Sequence, residues 1–238
     1  MLNESFYIDG VDARSVGIYL QKPVEFSEPI PVAKPTPIPG RNGDFVYETG
    51  AFKNRTGTAN CYAMLTGDVG RPLLAINNYL FAKRGYRKLE TSDDLEHYWM
   101  ARVKSGAKIE QRLRTLAPFK LSFDCMPQRF LKSGEEKISV TGGRAYLNNP
   151  YSQTALPLII AYGSGSGGVS INERVVVINF IDGALTIDSD IQNAYNDRGN
   201  QNSNIVATEF PALKSGINHV SFYGDIERIE IIPRWWEL

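Results

Sequence analysis

Four aspartates that lie close together in the sequence have the residue type for acid–base or metal chemistry: Asp182, Asp188, Asp190 and Asp197. Two carboxyl groups about 5–10 Å apart can hydrolyse a glycosidic bond. Carboxylate oxygens also bind calcium, although these aspartates lack the spacing of an EF-hand loop. Asp182 precedes a glycine in an ordinary turn pair. We therefore expect solvated loop acids, with a cation site and a glycosidase that uses Asp182, Asp188 or Asp190 as alternatives.

The other reactive residue types form no recognisable motif. His97 and His219 have no metal-ligand spacing with each other or with Cys61 and Cys125, so a zinc site would need scattered ligands. No CxxC pair and no GxSxG element is present. The glycine run at 163–168 lacks the lysine and following helix of a phosphate-binding loop, and it predicts a flexible loop between strands. We expect no catalytic residue, cofactor or metal, and no enzymatic activity.

Aromatic residues offer a different kind of chemistry, stacking on sugar rings. Several tyrosines fall on strand-like stretches, where packing within the protein is the commoner role of tyrosine. They are Tyr7, Tyr19, Tyr47, Tyr146, Tyr151, Tyr162, Tyr195 and Tyr223. Trp235 and Trp236 are adjacent in the sequence. Because neighbouring residues of a strand point to opposite faces, one indole can enter a core while the other meets solvent or a neighbouring subunit.

Charge and composition exclude several classes of protein. Lysine and arginine total 26 and aspartate and glutamate total 26, without the basic excess typical of nucleic-acid binders. The first residues do not form a secretory signal, and no apolar run approaches the ~18–20 residues of a membrane span. Two cysteines exclude a disulfide scaffold and fit synthesis in a reducing cytoplasm. We expect neither sequence-specific nucleic acid nor a membrane as a partner.

The first half of the sequence predicts short strands and one main helix. Residues 5–8 and 17–20 are strand-like and predict a hairpin. The helix is expected at about 72–84, because a proline stands near its start, an apolar stripe follows and Gly85 supplies a stop. Residues 93–99 predict a short helical turn.

Strand patterns continue up to a domain boundary. Residues 100–114 and 121–125 alternate between polar and apolar types, which is typical of strands. The pattern is lost over 128–137, so we place a boundary at about residue 136. The expected domains are therefore 1–136 and 137–238.

A proline-rich stretch at 29–39 interrupts the first domain. Repeated proline removes backbone donors and fixes φ, so neither a helix nor a central strand can form there. We expect an extended segment of the polyproline II type. Asn42-Gly43 then predicts a type I′ turn, and residues 45–47 predict a strand.

The second half predicts an all-β domain. Short apolar stretches alternate with turn residues at a spacing that favours a β-sandwich of about 100 residues. The predicted strands are 138–140, 156–162, 169–171, 175–181, 185–187, 220–222 and 227–232. The whole chain is therefore predicted to be mainly β with minor α.

Several motifs, taken in order, resemble the distal tail protein (Dit) family of bacteriophages with long non-contractile tails. The most recognisable is IPGRNGD at 38–44, and GY..L..S.D at 85–94 and F.L.F.C.P at 119–127 follow it. Further matching stretches keep the family order; they are 6–10, 17–20, 148–150, 155–159, 187–188, 210–213, 216–218 and 233–236. The chain lacks the long insertion with which some relatives carry an added carbohydrate-binding module.

The resemblance implies a structural virion protein at the distal end of the phage tail. It implies a homo-hexameric ring, single or stacked, that joins the tail tube to the baseplate or tip, supports host attachment and lets DNA pass. The first domain would form the ring, and the second would be a galectin-like β-sandwich. The implied partners are the tail tube protein, a tail-tip or tail-associated lysin protein and a receptor-binding protein.

The proline stretch and the turn after it are our candidates for a subunit contact. A segment that is already restricted loses less entropy when it is ordered against a neighbour. The candidate contact residues are Pro35, Pro37, Pro39, Arg41, Asn42 and Asp44, and Trp235 and Trp236 are candidate packing or interface aromatics. A carbohydrate-binding β-sandwich that contacts host glycans is the alternative function.

Overall fold

The computed structural model of the protein describes residues 4–65, 70–105 and 116–238. Most of these residues are in β-strands, and the described ranges contain a single α-helix, so the predicted mainly-β fold class is confirmed. Contacts divide the chain into an N-terminal unit, residues 1–129 with Leu238, and a C-terminal unit, residues 130–237. No helix of the described ranges is long and apolar enough to span a bilayer.

The N-terminal unit contains one large antiparallel sheet, one helix and a separate hairpin. Its elements are β1 Phe6–Ile8, β2 Val11–Asp12, β3 Ile18–Leu20, β4 Glu25–Phe26, β5 Pro31–Pro37, β6 Asp44–Phe52, β7 Arg55–Met64, α1 Gly70–Phe81, β8 Arg87–Thr91, β9 Asp94–Ser105 and β10 Leu116–Leu131. A 3₁₀ turn at Ala13–Val16 connects β2 to β3. The sheet has the order β2-β1-β8-β9-β10-β7-β3, with β4 also paired to β7.

The predicted hairpin between residues 5–8 and 17–20 is wrong. Asp9 and Gly10, with φ of 52° and 77°, reverse the chain at once, so that β1 pairs with β2. Positive φ at both central residues is the geometry of a two-residue hairpin turn. The 3₁₀ turn then carries the chain away, and β3 pairs with β7 at the other side of the sheet.

The predicted helix is present as α1, although it begins and ends earlier than expected. Its buried side chains are Ile76, Tyr79 and Leu80. The guanidinium of Arg87 donates to the carbonyl oxygen of Tyr79 at 2.7 Å, which satisfies a carbonyl in the last turn. The phenol of Tyr79 accepts from the Ile8 amide at 3.1 Å and donates to the Val11 carbonyl at 2.8 Å, and so ties the helix to β1 and β2.

The predicted helical turn at 93–99 is also wrong, because these residues begin strand β9. Thr91 pairs with Asp94 across a two-residue turn, and Leu89 pairs with Trp99. Trp99 is buried, with its ring stacked on Phe26 at 4.0 Å between centroids. Tertiary packing of this indole therefore overrides the local capping signal.

The core of the N-terminal unit lies between α1 and the inner face of the sheet. Its largest fully buried side chains include Phe6, Ile18, Leu65, Leu89 and Phe123. Cys61 and Cys125 belong to this core as free thiols, in agreement with their expected role as small apolar residues. Burial raises the pKa of each thiol to about 12.

The C-terminal unit consists almost entirely of strands. They are β11 Ile138–Val140, β12 Arg144–Asn149, β13 Leu158–Ile171, β14 Arg174–Asp188, β15 Asn193–Asn196, β16 Gly199–Asn200, β17 Ile205–Ala207, β18 Gly216–Ile232 and β19 Trp236–Glu237, with 3₁₀ turns at Lys132–Glu135 and Asn202–Asn204. The sheet has the order β11-β18-β13-β14-β15-β16, while β12 also pairs with β18 and β17 with β14.

Three long strands, β13, β14 and β18, run through both halves of this unit. Pairs of the predicted short strands are therefore single strands: 156–162 joins 169–171, 175–181 joins 185–187, and 220–222 joins 227–232. β12 and β17 extend one half of the sheet, and β11 and β15 extend the other. Inward side chains from both halves, among them Val176 and Ile187, form one core cluster. The sandwich is thus one continuous sheet that bends.

The glycine run at 163–168 lies inside β13, so the predicted flexible loop is wrong. Register shifts of β13 against β14 and β18 fall at Gly163, Gly165 and Gly167. A β-carbon on Gly163 would lie 2.1 Å from the carbonyl oxygen of Asp225, and one on Gly167 would lie 2.3 Å from that of Tyr223. Glycine is needed here because the backbones of two bent strands come closer than any side chain permits.

Candidate assembly surface

The proline stretch forms strand β5 of a two-stranded hairpin, in which β6 is its partner. The expectation of an extended segment is correct, but the segment is paired, whereas an unpaired polyproline II conformation was predicted. Pro35 lies opposite Val46, and Pro37 lies opposite Asp44. Only every second residue of a strand in an antiparallel pair donates to its partner, so prolines at odd-numbered positions leave the ladder intact.

Two further contacts show which residues of β5 face β6. The carbonyl oxygen of Ile30 accepts from the Lys53 amide at 2.8 Å, and that of Val32 accepts from the Thr49 hydroxyl. Even-numbered residues of the proline strand therefore face β6. The odd-numbered ones, including Pro35, face away from it.

The tip of the hairpin turns at Pro39 and Gly40. The Arg41 amide donates to the Ile38 carbonyl at 3.2 Å, and Gly40 has φ of 77°. Proline at the second and glycine at the third position are the pattern of a type II turn. The predicted type I′ turn at Asn42-Gly43 is wrong, since Gly43 alone of that pair has positive φ.

Nearly the whole hairpin is exposed. All six candidate contact residues lie in this hairpin, and all are exposed: Pro35, Pro37, Pro39, Arg41, Asn42 and Asp44. Phe45, Val46 and Tyr47 are also exposed, at 54%, 51% and 60% of their full areas. A two-stranded hairpin without a layer beneath it is at most marginally stable in water. Consecutive exposed apolar residues on such a hairpin are typical of a surface that another chain covers.

Among the candidate aspartates of the C-terminal unit, Asp188 is not the solvated loop acid that the sequence predicts. Asp188 is buried, and Arg234 donates to both of its oxygens, at 2.7 and 2.9 Å. Burial alone would raise the pKa of Asp188, but the hydrogen bonds from Arg234 outweigh it and hold that pKa below its ordinary value. This carboxylate therefore serves as a structural ion-pair partner.

Asp182 lies on the same strand as Asp188, six residues away, which corresponds to about 20 Å along an extended strand. That separation exceeds the range of a glycosidase pair. Asp182 is exposed and pairs with Arg198 at 2.9 Å, and Asp190 is exposed. The described residues hold no group of three side chains suited to a metal ion.

The adjacent tryptophans have different surroundings. Trp235 is 6% exposed and belongs to the core of the C-terminal unit. Trp236 is half-buried, and its indole N–H donates to the Thr154 carbonyl at 3.1 Å. Both indoles are therefore held by the C-terminal unit itself.

Among the tyrosines, Tyr146 and Tyr223 are exposed on the C-terminal unit, at 70% and 51%. The Tyr146 ring lies 5.3 Å from that of His219 across the β12–β18 pair. His97 is buried in the N-terminal unit, where its Nδ1 lies 2.8 Å from Asp94. The two histidines therefore belong to separate structural contacts.

Comparison with known proteins gives a likeness over the whole chain. No protein-family model and no curated protein matches this sequence. Among solved structures, the Dit protein of phage SPP1, described as a paradigm of the hub adsorption apparatus in phages that infect Gram-positive bacteria, is similar with a TM-score of 0.71. The likeness covers 99% of both chains at 12% sequence identity. From end to end, therefore, this chain has the fold of the SPP1 Dit protein.

Proposed function

We propose that this chain is a distal tail hub, a structural protein of a phage virion. The observation that carries the proposal is the likeness in fold to SPP1 Dit over 99% of both chains. Two proteins that share only one common domain would not match over their full lengths. The match agrees with the independent order of sequence motifs, of which residues 38–44 are the most specific.

In this role, six copies form a ring that joins the tail tube to the baseplate or tip. A ring of identical subunits needs two different patches on each copy, one for each neighbour. The exposed hairpin, with Pro35, Pro37, Pro39, Arg41, Asn42 and Asp44, is the proposed patch on one side. The N-terminal domain makes the ring, and the C-terminal domain, 137–238, is a galectin-like sandwich that supports attachment to the host.

The partners in this role are the tail tube protein on one face of the ring and a tail-tip or tail-associated lysin protein on the other, with a receptor-binding protein attached. A channel that passes DNA should not hold it, because each neutralised phosphate adds affinity. Equal numbers of acidic and basic residues in the chain are compatible with this condition. The protein is made in the cytoplasm of the bacterial host and acts in the virion without catalysis.

The proposal is tested by the solution mass of the purified chain, measured by light scattering over a wide concentration range. We expect a mass of six chains, or of twelve for stacked rings, and ring-shaped particles in negative-stain electron microscopy. The mass of a single chain at every concentration would contradict a ring that closes by itself.

The same sample tests the carbohydrate-binding alternative, which draws support from the exposed ring of Tyr146 beside His219. A glycan array probed with the wild type and with Tyr146→Ala separates the two functions. Binding that depends on Tyr146, combined with a persistent monomer, would favour the carbohydrate-binding module over the hub.

A further inference from the structure

The two edges of the β5–β6 hairpin differ in their hydrogen-bonding chemistry. On the outer edge of β5, the odd-numbered residues face away from β6, and three of them are prolines: Pro31, Pro35 and Pro37. Proline has no N–H, so Ala33 is the only residue of β5 that can donate from this edge. Prolines on an edge strand prevent another strand from pairing with it.

The outer edge of β6 lacks this block. Val46 lies opposite Pro35, Asp44 opposite Pro37 and Glu48 opposite Ala33. A proline cannot donate to its opposite residue, so these are the non-hydrogen-bonded pairs, and the amides and carbonyls of Asp44, Val46 and Glu48 point away from β5. Among the described strands, β5 alone pairs with β6, so no strand lies along this outer edge. The three outward amides repeat about every 6.8 Å, the spacing that a further antiparallel strand needs.

We propose that the β6 edge, residues 44–48, pairs through its main chain with an exposed strand edge of an adjacent copy of this chain. This inference rests on the proposed ring. A hairpin with one open and one closed edge accepts a strand on a single side, so each hairpin makes one such contact, and closure of the ring ends the series of copies.

The charge of the hairpin favours a second copy over a strongly charged partner. It carries Lys34 and Arg41 against Asp44 and Glu48, so its charges balance, as do those of the whole chain. A second copy is therefore not repelled, and a polyanion such as DNA is not attracted. Main-chain pairing also accounts for the exposure of nearly the whole hairpin, since an added strand completes the sheet that two strands cannot stabilise alone.

The test compares Val46→Pro with two matched variants. Val46→Pro removes the outward N–H and places the proline ring on the open edge, while the ladder to β5 is kept because Pro35 stands opposite. Val46→Ala removes the side chain and keeps the N–H. Pro35→Ala restores an N–H on the closed edge. Far-UV circular dichroism and urea unfolding establish that each variant is folded.

For Val46→Pro we expect the concentration of half-assembly, measured by light scattering, to rise at least about tenfold, because one main-chain bond is lost and the strand is blocked. Val46→Ala and Pro35→Ala should remain within about threefold of the wild type. Hydrogen exchange gives a second measurement on the wild type itself: assembly should slow exchange of the Asp44, Val46 and Glu48 amides.

Each other outcome overturns the inference in a different way. If Val46→Pro assembles like the wild type, or if the three amides exchange equally fast in ring and monomer, the edge is not used although the ring stands. If Val46→Ala is as defective as Val46→Pro, the contact is made by side chains. If Pro35→Ala is the defective variant, the contact lies on β5. A wild type that stays monomeric at all concentrations refutes both the ring and the pairing.

Discussion

The substitution Gly163→Ala tests whether the C-terminal sheet bends where its glycines allow close backbone contact. Gly163 pairs with Gly183 on one side and Ile226 on the other. An alanine β-carbon at 163 would lie 2.1 Å from the Asp225 carbonyl oxygen and 3.0 Å from the α-carbon of Ile226. Both obstacles are backbone atoms, so no side-chain rotation can relieve the clash.

The size of the effect follows from that distance. An ordinary contact needs about 3.5 Å, so β13 and β18 would have to separate by more than about 1 Å at the bend. A hydrogen bond of normal length does not survive such a displacement. Overpacking costs about 1–3 kcal/mol, and each lost hydrogen bond adds about 1 kcal/mol. We expect the free energy of unfolding of the C-terminal unit to fall by about 3 kcal/mol.

Gly142→Ala is the matched control in the same unit. An added β-carbon there meets no atom within 4 Å, and the φ of Gly142 is not positive, so alanine is tolerated. The control should therefore be neutral or stabilising by up to about 1 kcal/mol, through the smaller entropy of the unfolded chain. Both variants are compared with the wild type by urea unfolding, followed by tryptophan fluorescence. Equal stability of Gly163→Ala and Gly142→Ala would refute the role assigned to the close contact.

Three further predictions concern buried polar groups. Asp188→Asn leaves the Arg234 guanidinium, 29% exposed, without its counter-charge, and should lower the free energy of unfolding by about 3 kcal/mol at pH 7. The pKa of Asp188 is lowered in the folded protein, so the wild type loses this extra stability as the pH falls from about 4 through that pKa. The stabilities of the two proteins should therefore converge in acid. A different result, a constant gap down to pH 2, would refute the ion-pair account. Burial raises the pKa of Cys61 and of Cys125 to about 12, so both thiols should resist a thiol reagent at pH 8 in the folded protein. In urea both should react at once, as measured by mass spectrometry. Rapid labelling of the native chain would contradict their burial. Tyr79→Phe leaves the buried Ile8 amide without its acceptor and should lower the free energy of unfolding, measured with urea, by about 1–3 kcal/mol. An unchanged midpoint would show that the hydroxyl does not help to hold α1 in place.

Local patterns were sufficient for the elements whose signals come from adjacent residues. The strand at 138–140, the helix near 72–84 and the extended stretch at 29–39 were all predicted from composition and spacing. Each depends on side-chain periodicity, on proline or on a glycine stop, and these act within a few residues. The order of motifs from 38–44 onwards likewise pointed to the fold that the whole-chain likeness shows.

Pairing between distant segments decided the rest. Strand β3 joins β7 and not β1, and residues 94–99 are a strand because Trp99 stacks on Phe26. The glycine run resembled a loop, since nothing near it in sequence reveals the Asp225 backbone that lies against Gly163. Asp188 was expected to be a solvated loop acid, since nothing near it in sequence reveals that Arg234 lies beside it.

In the β5–β6 hairpin, local sequence likewise determined some features and tertiary pairing decided others. The sequence by itself determined that 29–39 is extended and cannot be a central strand, because proline lacks an N–H. Only the tertiary structure decided that this stretch pairs with residues 44–52, and that its odd-numbered prolines therefore close one edge while the Val46 edge stays open. The register of two paired strands depends on which backbone groups can meet across the pair, so the sequence of either strand alone does not set it.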